Sequence, residues 1–159
     1  MTYFIGVDPG AKGGFSIVND KSALIDMWPM HEDILKMSKI LTNYAKEPHV
    51  LVIEKAHGMA SFGKDKKRGA SSMFTYGKGY GKLLGMFEVL GLQYQEVAPR
   101  TWMSKMFKEF NQGRTKEQSA ELCIAMHPDH SFIPPRCRKI HDGLTDATCI
   151  AHYARRFLQ

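Results

Sequence analysis

Two acidic residues each follow a short apolar stretch of the chain. Residues 3–7 lead into Asp8, and residues 49–53 lead into Glu54. The first stretch is too short for a buried helix and is followed by Pro9-Gly10, so it predicts a strand that stops at Asp8. A carboxylate at such a position, with small residues after it, suits a metal ligand with room for a substrate phosphate. A turn in which Asp8 only accepts backbone hydrogen bonds is the alternative.

A second pair of acids lies in the last segment of the sequence. Asp142 and Asp146 are four residues apart, in a segment that predicts a helix over residues 141–158. Residues at this spacing share a helix face, with Cβ atoms roughly 5–6 Å apart, so the two carboxylates are predicted to be neighbours. Because like charges at this spacing destabilise an isolated helix, the presence of both acids indicates a functional role. The alternative is a solvated first turn, where the helix dipole favours acids.

Together these four acids predict a metal centre. They would repel one another at one edge of a sheet unless divalent cations neutralised them, and carboxylate oxygens suit Mg²⁺ or Mn²⁺. Two such ions, roughly 3.5–4 Å apart, activate a water and stabilise the leaving oxygen in phosphodiester hydrolysis. A covalent route has no support, because no nucleophile elbow is present and Cys149 lies in an apolar stretch. The glycines after Asp8 lack the spacing of a nucleotide-binding loop, so no small-molecule cofactor is expected.

The elements that must position these acids follow one another without a repeat or a low-complexity linker. The predicted strands span residues 3–7, 14–18, 23–28, 49–54 and 92–97. Three predicted helices span residues 31–45, 72–90 and 141–158, and two more are predicted to begin at Pro99 and at Thr115. The first three strands predict an antiparallel meander. Ser72 is predicted to cap its helix, and Thr115 to open a capping box with Gln118. The order predicts one α/β domain over residues 1–159 with a mixed sheet.

The composition favours an intracellular protein with an anionic partner. The chain of 159 residues has 22 Lys and Arg against 16 Asp and Glu, a formal net charge of +6, and this balance is typical of nucleic-acid-binding proteins. No apolar stretch is long enough to cross a membrane and no charged leader is present, so no membrane partner is expected. The three cysteines are widely spread, which is typical of a reducing compartment such as the cytoplasm.

A zinc site is the alternative metal centre. Cys123, His127, His130 and Cys137 carry side chains that zinc prefers. Their spacing matches no compact zinc-finger pattern, and Cys123 is predicted to lie on the buried face of a helix. Zinc therefore stays an alternative that the metal content of the purified protein would decide.

Several motifs taken together resemble one family. They are Phe4-Ile-Gly-Val-Asp8-Pro-Gly10, Val52-Ile-Glu54, Val97-Ala-Pro-Arg-Thr-Trp102, and His141-Asp142-Gly with Asp146-Ala147. In this order, over nearly the whole chain, they resemble the RuvC-type Holliday junction resolvases. The resemblance is to the phage-type branch in particular, within the ribonuclease H-like superfamily.

This resemblance implies a mixed five-stranded sheet flanked by helices, a homodimer, and paired symmetric nicking of four-way DNA junctions. It implies two Mg²⁺ ions, for which Mn²⁺ can substitute, in the cytoplasm of a bacterial or phage-infected cell. The implied catalytic and metal-binding acids are Asp8, Glu54, Asp142 and Asp146. In the best-known bacterial members the last two acids are three residues apart, whereas other branches use four, and Gly143 occupies the three-apart position here.

A basic surface for DNA is predicted around the loop that follows Glu54. That loop offers a basic run beside rings that could stack on unpaired bases. The predicted DNA-binding residues are His57, Phe62, Lys64, Lys66, Lys67, Arg68, Lys78, Lys82, Arg136, Arg138 and Lys139. The family places an aromatic wedge three residues after the acid, where this chain has His57, so Phe62 is a substitute candidate. A solvated loop with ordinary charges is the alternative.

Two other functions remain open at this point. A branched or flap DNA nuclease, or an RNA-strand nuclease, would use the same acids. A catalytically silent junction-binding module would need the basic residues but not the full set of acids, which argues against it.

Overall fold

The computed structural model of the chain describes residues 1–56, 70–108 and 113–158. Its strands are β1 (Tyr3–Asp8), β2 (Gly14–Asn19), β3 (Leu24–Pro29), β4 (His49–Glu54) and β5 (Tyr94–Val97). Its helices are α1 (Ile34–Ala45), α2 (Ala70–Val89), α3 (Pro99–Met106), α4 (Thr115–Met126) and α5 (Asp142–Phe157). The predicted order of strands and helices is confirmed in these ranges, where no helix is both long and apolar enough to cross a membrane.

The strands form one mixed five-stranded sheet in the order β3-β2-β1-β4-β5. β1, β2 and β3 make the antiparallel meander, while β4 lies parallel to β1 and β5 lies parallel to β4. Because β1 and β4 run in the same direction, with Val7 beside Ile53, both strands end at the same edge of the sheet. Their last residues, Asp8 and Glu54, are therefore brought to that edge.

Successive residues of the central strands pack against helices on opposite faces of the sheet, as the pleat requires. On one face, Phe4 of β1 lies in a buried cluster with Ile150 of α5. On the other face, Ile5 lies in a cluster with Leu41 of α1 and Phe87 of α2. The sheet is thus covered by helices on both sides, which fits its near-continuous apolar central strands.

Two glycines allow α5 to lie directly on β1 and on the turn that follows it. A Cβ atom added at Gly6 would overlap the carbonyl oxygen of Ala147. A Cβ atom added at Gly143 would overlap the carbonyl oxygen of Lys12 and the backbone of Gly13. The start of α5, with its acids, is therefore held against the turn that begins at Asp8.

Two predicted helix caps are wrong. α2 begins at Ala70, so Ser72 lies within its first turn instead of preceding the helix. Thr115 is the first residue of α4, and Arg114 occupies the cap position, where its side chain makes no capping hydrogen bond. Serine and threonine are favoured at caps, but the boundary also depends on where the incoming chain meets the helix, which residue type alone does not specify.

Candidate active site

Asp8 is the last residue of β1 and begins the turn toward β2. Its Oδ1 accepts a hydrogen bond from the backbone N–H of Gly10 at 3.0 Å, which is the turn contact that the sequence also allowed. Desolvation by burial raises the pKa of the Asp8 carboxyl, while this hydrogen bond and the charges of His141 and Lys116 oppose the shift. The turn orients the carboxylate, and burial makes its negative charge unfavourable in the absence of a cation.

Glu54 ends β4 at the same edge of the sheet. Its Oε2 accepts a hydrogen bond of 2.8 Å from the indole Nε1 of Trp102, which lies in α3 and is fully buried. Desolvation raises the pKa of Glu54 to about 7, the Trp102 hydrogen bond lowers it, and the charges of Asp8 and Asp146 raise it further. Glu54 is therefore a partly desolvated acid that responds to the charges of two other acids.

Asp146 occupies the second turn of α5 and is also half-buried. Its Oδ1 accepts a hydrogen bond of 2.5 Å from the hydroxyl of Ser119 in α4. Burial raises the pKa of Asp146 to about 6; the Ser119 hydrogen bond opposes this, and the charges of Asp8 and Asp142 add to it. Asp8, Glu54 and Asp146, which we call the buried acid group, are thus electrostatically coupled.

Asp142 differs from the buried acid group although it shares a helix with Asp146. Its side chain is 53% exposed, and its Oδ2 accepts a hydrogen bond of 2.9 Å from the Nζ of Lys116. The residue three before Asp146 is Gly143, which packs so closely on the Asp8 turn that no side chain fits there. The four-residue spacing follows, because an acid preceding Asp146 in this helix has to sit one position earlier.

A cleft of about 1030 Å³ opens beside these acids. Asp8, Asp142 and Asp146 border it on one side, and Lys78 and Lys82 of α2 border it as well. In the ranges that the structure describes, no three histidine, cysteine or acidic side chains lie close enough to enclose a metal ion. Asp8, Asp142 and Asp146 therefore face a common cleft, whereas Glu54, which responds to the charges of Asp8 and Asp146, is not among the described residues that line it.

The predicted DNA-binding residues fall into three sets. Lys78 and Lys82 are exposed and border the cleft. The basic residues of the loop between α4 and α5 are exposed but do not border it; they are Arg136, Arg138 and Lys139. The residues of the loop after Glu54 lie outside the described ranges; they are His57, Phe62, Lys64, Lys66, Lys67 and Arg68.

The four residues of the alternative zinc site are not brought together as a set, although the ring centroids of His127 and His130 lie 5.8 Å apart. Cys123 is buried, as predicted, and its Sγ lies 3.8 Å from the Sγ of Cys149. The Nε2 of His127 lies 2.8 Å from the Nε2 of His152, while Cys137 is exposed. The described part of the chain therefore gives no support to the zinc alternative at these four residues.

Sequence reasoning missed the three side chains that hold the acids. Trp102 was noted only as the end of a motif, and neither Lys116 nor Ser119 was assigned a role at the site. Lys116 and Ser119 are three residues apart on α4, the spacing at which two side chains share a helix face. That spacing, together with the four-residue spacing of Asp142 and Asp146, was a signal in the sequence that α4 and α5 could face each other here.

Comparison with known proteins relates this fold to RuvC. No protein-family model matches the sequence, and no curated protein sequence matches it. Among solved structures, RuvC of Thermus thermophilus in complex with a Holliday junction substrate superposes with a TM-score of 0.68 at 14% identity, covering 98% of this chain and 96% of that one. Another Thermus thermophilus RuvC structure gives a TM-score of 0.61 at 16% identity, covering 97% and 95% of the two chains. The chain therefore has the RuvC-like, ribonuclease H-like fold, with a mixed five-stranded sheet flanked by helices.

Proposed function

We propose that this protein is a divalent-metal-dependent DNA endonuclease that resolves four-way junctions by paired symmetric nicks. The observation that carries the proposal is the cleft where Asp8, Asp142 and Asp146 lie together with the cationic Lys78 and Lys82. The likeness of the fold to RuvC in complex with a Holliday junction substrate supports branched DNA as the partner. The proposed phage-type branch rests on the sequence motifs, and the four-residue spacing of Asp142 and Asp146 only separates this chain from the best-known bacterial members.

The chemistry of the acids fits Mg²⁺ or Mn²⁺. The ligands on offer are carboxylate oxygens, which these hard cations prefer over nitrogen or sulfur. Burial and mutual repulsion raise the pKa values of Glu54 and Asp146, so the ionised forms of these carboxyls are disfavoured in the metal-free protein. A divalent cation bound by Asp8, Glu54, Asp142 and Asp146 would remove that repulsion.

Each side chain has a distinct task in the proposed reaction. Asp8, Glu54, Asp142 and Asp146 would hold the divalent ions, which would supply an activated water and charge stabilisation at the phosphate and at the leaving oxygen. Asp8 and Glu54 hold their carboxylates at the rigid ends of two central strands. Asp146 presents its carboxylate from α5, against the same turn. Asp142 joins them after giving up its exposed contact with Lys116.

Lys78 and Lys82 bind the DNA strand that enters the cleft. They are four residues apart on α2 and both are exposed, so they share a face of the helix. Contacts of this kind neutralise phosphates without reading base sequence, and they weaken steeply with salt. Arg136, Arg138 and Lys139 extend the basic surface away from the cleft, toward another arm of the branched substrate.

A second copy of the chain is proposed to pair with this one through α2. Gly77, Gly81 and Gly85 repeat every four residues on that helix, and a Cβ atom at any of them would meet only open space. Phe74 and Val89, at the two ends of the helix, have exposed fractions of 73% and 88%. A symmetric dimer would cover these apolar side chains and place two active sites on one junction, which paired nicking requires.

The proposed function is tested by cleavage of a panel of labelled substrates with Mg²⁺ or with chelator. The panel contains a four-way junction, a flap, a linear duplex, a single strand and an RNA–DNA hybrid. We expect symmetric nicks that need Mg²⁺ and are confined to the junction. Equal cutting of flaps or hybrids would replace the proposal with a broader nuclease, and tight junction binding without cutting in any metal would leave only a binding module.

A further inference from the structure

Two buried neutral donors are aimed at the acids of the site. The Nε1 of Trp102 donates to Oε2 of Glu54 at 2.8 Å, and the hydroxyl of Ser119 donates to Oδ1 of Asp146 at 2.5 Å. Both donors have an exposed fraction of 0%. They come from different helices, α3 and α4, and act on carboxylates from different elements, β4 and α5. The same arrangement thus occurs twice, independently, at one site.

Packing explains the presence of these side chains but not the direction of their polar atoms. The Trp102 ring packs edge-to-face on Phe107 with ring centroids 5.6 Å apart, a contact that phenylalanine could also make. Trp28, the other tryptophan, stacks on Phe15, and its buried Nε1 has no hydrogen-bond partner in the described structure. A buried indole in this fold therefore does not need a carboxylate partner, and the Trp102 contact calls for a separate reason.

The neutral charge of the donors is the informative property. A lysine or arginine beside Glu54 or Asp146 would neutralise the carboxylate and compete with a bound cation. An indole N–H or a hydroxyl fixes one oxygen of the carboxylate and leaves its full negative charge. The second oxygen then has a defined direction at little cost in side-chain entropy. Asp142, whose partner is the cationic Lys116, is the contrasting case.

We propose that Trp102 and Ser119 are positioning residues that orient Glu54 and Asp146 for a divalent cation. The inference rests on the proposed function in its metal requirement, but its test reads metal binding without DNA. Hydrogen bonds to the ligands of a metal typically change metal affinity by about 10–100-fold. We expect Trp102→Phe and Ser119→Ala to weaken Mn²⁺ and Mg²⁺ binding to this extent, and Ser119→Thr, which keeps the hydroxyl, to restore it.

Matched controls are available in the same chain. Trp28→Phe makes the same chemical change as Trp102→Phe at a residue whose Nε1 has no hydrogen-bond partner among the described residues. Ser16→Ala removes a fully buried hydroxyl that accepts a hydrogen bond from Thr148. Both controls should bind metal as the wild type does. The Trp28→Phe protein also leaves Trp102 as its one tryptophan, since the chain has 2, so its fluorescence should change on titration with Mg²⁺.

Metal binding is measured by calorimetry and by the electron paramagnetic resonance of free Mn²⁺, on protein whose folding is verified by circular dichroism. Equal metal affinity in Trp102→Phe, Ser119→Ala and the two controls would overturn the inference. If Trp102→Phe does not fold, the variants at Ser119 decide. Weaker metal binding in Ser119→Ala with recovery in Ser119→Thr supports the inference, and equal metal affinity in the wild type and both variants rejects it. If the wild type binds metal with these dependences but cuts no DNA, the proposed function fails while the inference stands.

Discussion

At the scale of single residues, burial of the acids of this site lowers the stability of the metal-free fold. Desolvation raises the pKa of Glu54 from its ordinary value of 4.5 to about 7. Between pH 4.5 and pH 7, Glu54 therefore keeps its proton in the folded protein but loses it in the unfolded chain. The free energy of unfolding of the metal-free protein accordingly falls from about pH 4.5 to pH 7 on account of this group.

Replacing Glu54 with glutamine should stabilise the metal-free protein at neutral pH. Glu54→Gln removes the buried charge and keeps an oxygen for the Trp102 Nε1. We expect the free energy of unfolding at pH 8 in chelator to rise by about 1–3 kcal/mol, with little change at pH 4, as measured by urea denaturation. Glu47→Gln, at an exposed acid, is the control. A loss of stability at both pH values would show that the Glu54 charge supports the fold.

The residue scale is also where sequence reasoning was weakest. Asp8 and Glu54 were identified because a strand ending in an acid is a local pattern that remains visible in the chain. The Nε1 of Trp102 finds its partner 48 residues earlier in the chain, a contact that exists only after α3 packs beside β4. The different surroundings of Asp142 and Asp146 were hidden for the same reason, because their neighbours lie on α4.

At the scale of elements, polar and sulfur contacts join α4 to α5 along their length. Beginning at the acids, the pairs are Lys116 with Asp142, Ser119 with Asp146, Cys123 with Cys149, and His127 with His152. Because α5 carries two of the acids, the fit between these helices fixes where the acids stand.

The two histidines make this interface sensitive to acid. Desolvation, with the charges of His127, Arg156 and Arg155, lowers the pKa of His152 from 6.5 to about 3. Burial and the nearby His130 lower the pKa of His127. Below about pH 6.5 the unfolded chain thus binds protons that the folded chain excludes, so the free energy of unfolding falls as the pH decreases.

Substituting His152 should reduce this sensitivity. His152→Gln keeps a polar group opposite His127 but cannot become charged. We expect the loss of unfolding free energy between pH 7.5 and pH 5 to shrink by about 1–2 kcal/mol, as measured by urea denaturation at the two pH values. His31→Gln, at an exposed histidine, provides the comparison. An unchanged pH dependence in His152→Gln would mean that the pair tolerates protonation.

At the scale of the whole molecule, the fold was largely predictable from the sequence. The meander, the crossover through α1 and the parallel β4 follow from short apolar runs punctuated by Pro9-Gly10, Pro29 and Pro48, and these signals are local. The boundary of α2 was not predicted correctly, because Ser72 is a good cap residue that the structure uses inside the helix. The surface through which two copies of the chain would pair was likewise not predicted, because local sequence patterns do not specify it.

The glycine face of α2 makes the proposed dimer testable. Gly81→Gln fits the monomer, because a Cβ atom there meets open space, but it obstructs close approach of a second helix. We expect light scattering to give twice the chain mass of 18.0 kDa for the wild type and a monomer mass for Gly81→Gln. Gly79→Gln, on the same helix but bordering the cleft, should remain dimeric. Dimers in both variants, or a monomeric wild type, would remove α2 as the interface.

The four acids Asp8, Glu54, Asp142 and Asp146 are proposed to be needed for cleavage of DNA but not for binding of DNA. Asp146→Asn tests this most directly, because asparagine keeps nearly the same volume and an oxygen that can accept from Ser119, but it removes the negative charge. Binding and cleavage of one labelled four-way junction are measured in parallel, by mobility shift in chelator and by product mapping in Mg²⁺. We expect unchanged binding and a loss of at least about 100-fold in cleavage rate. Cleavage at the wild-type rate by folded Asp146→Asn would contradict it.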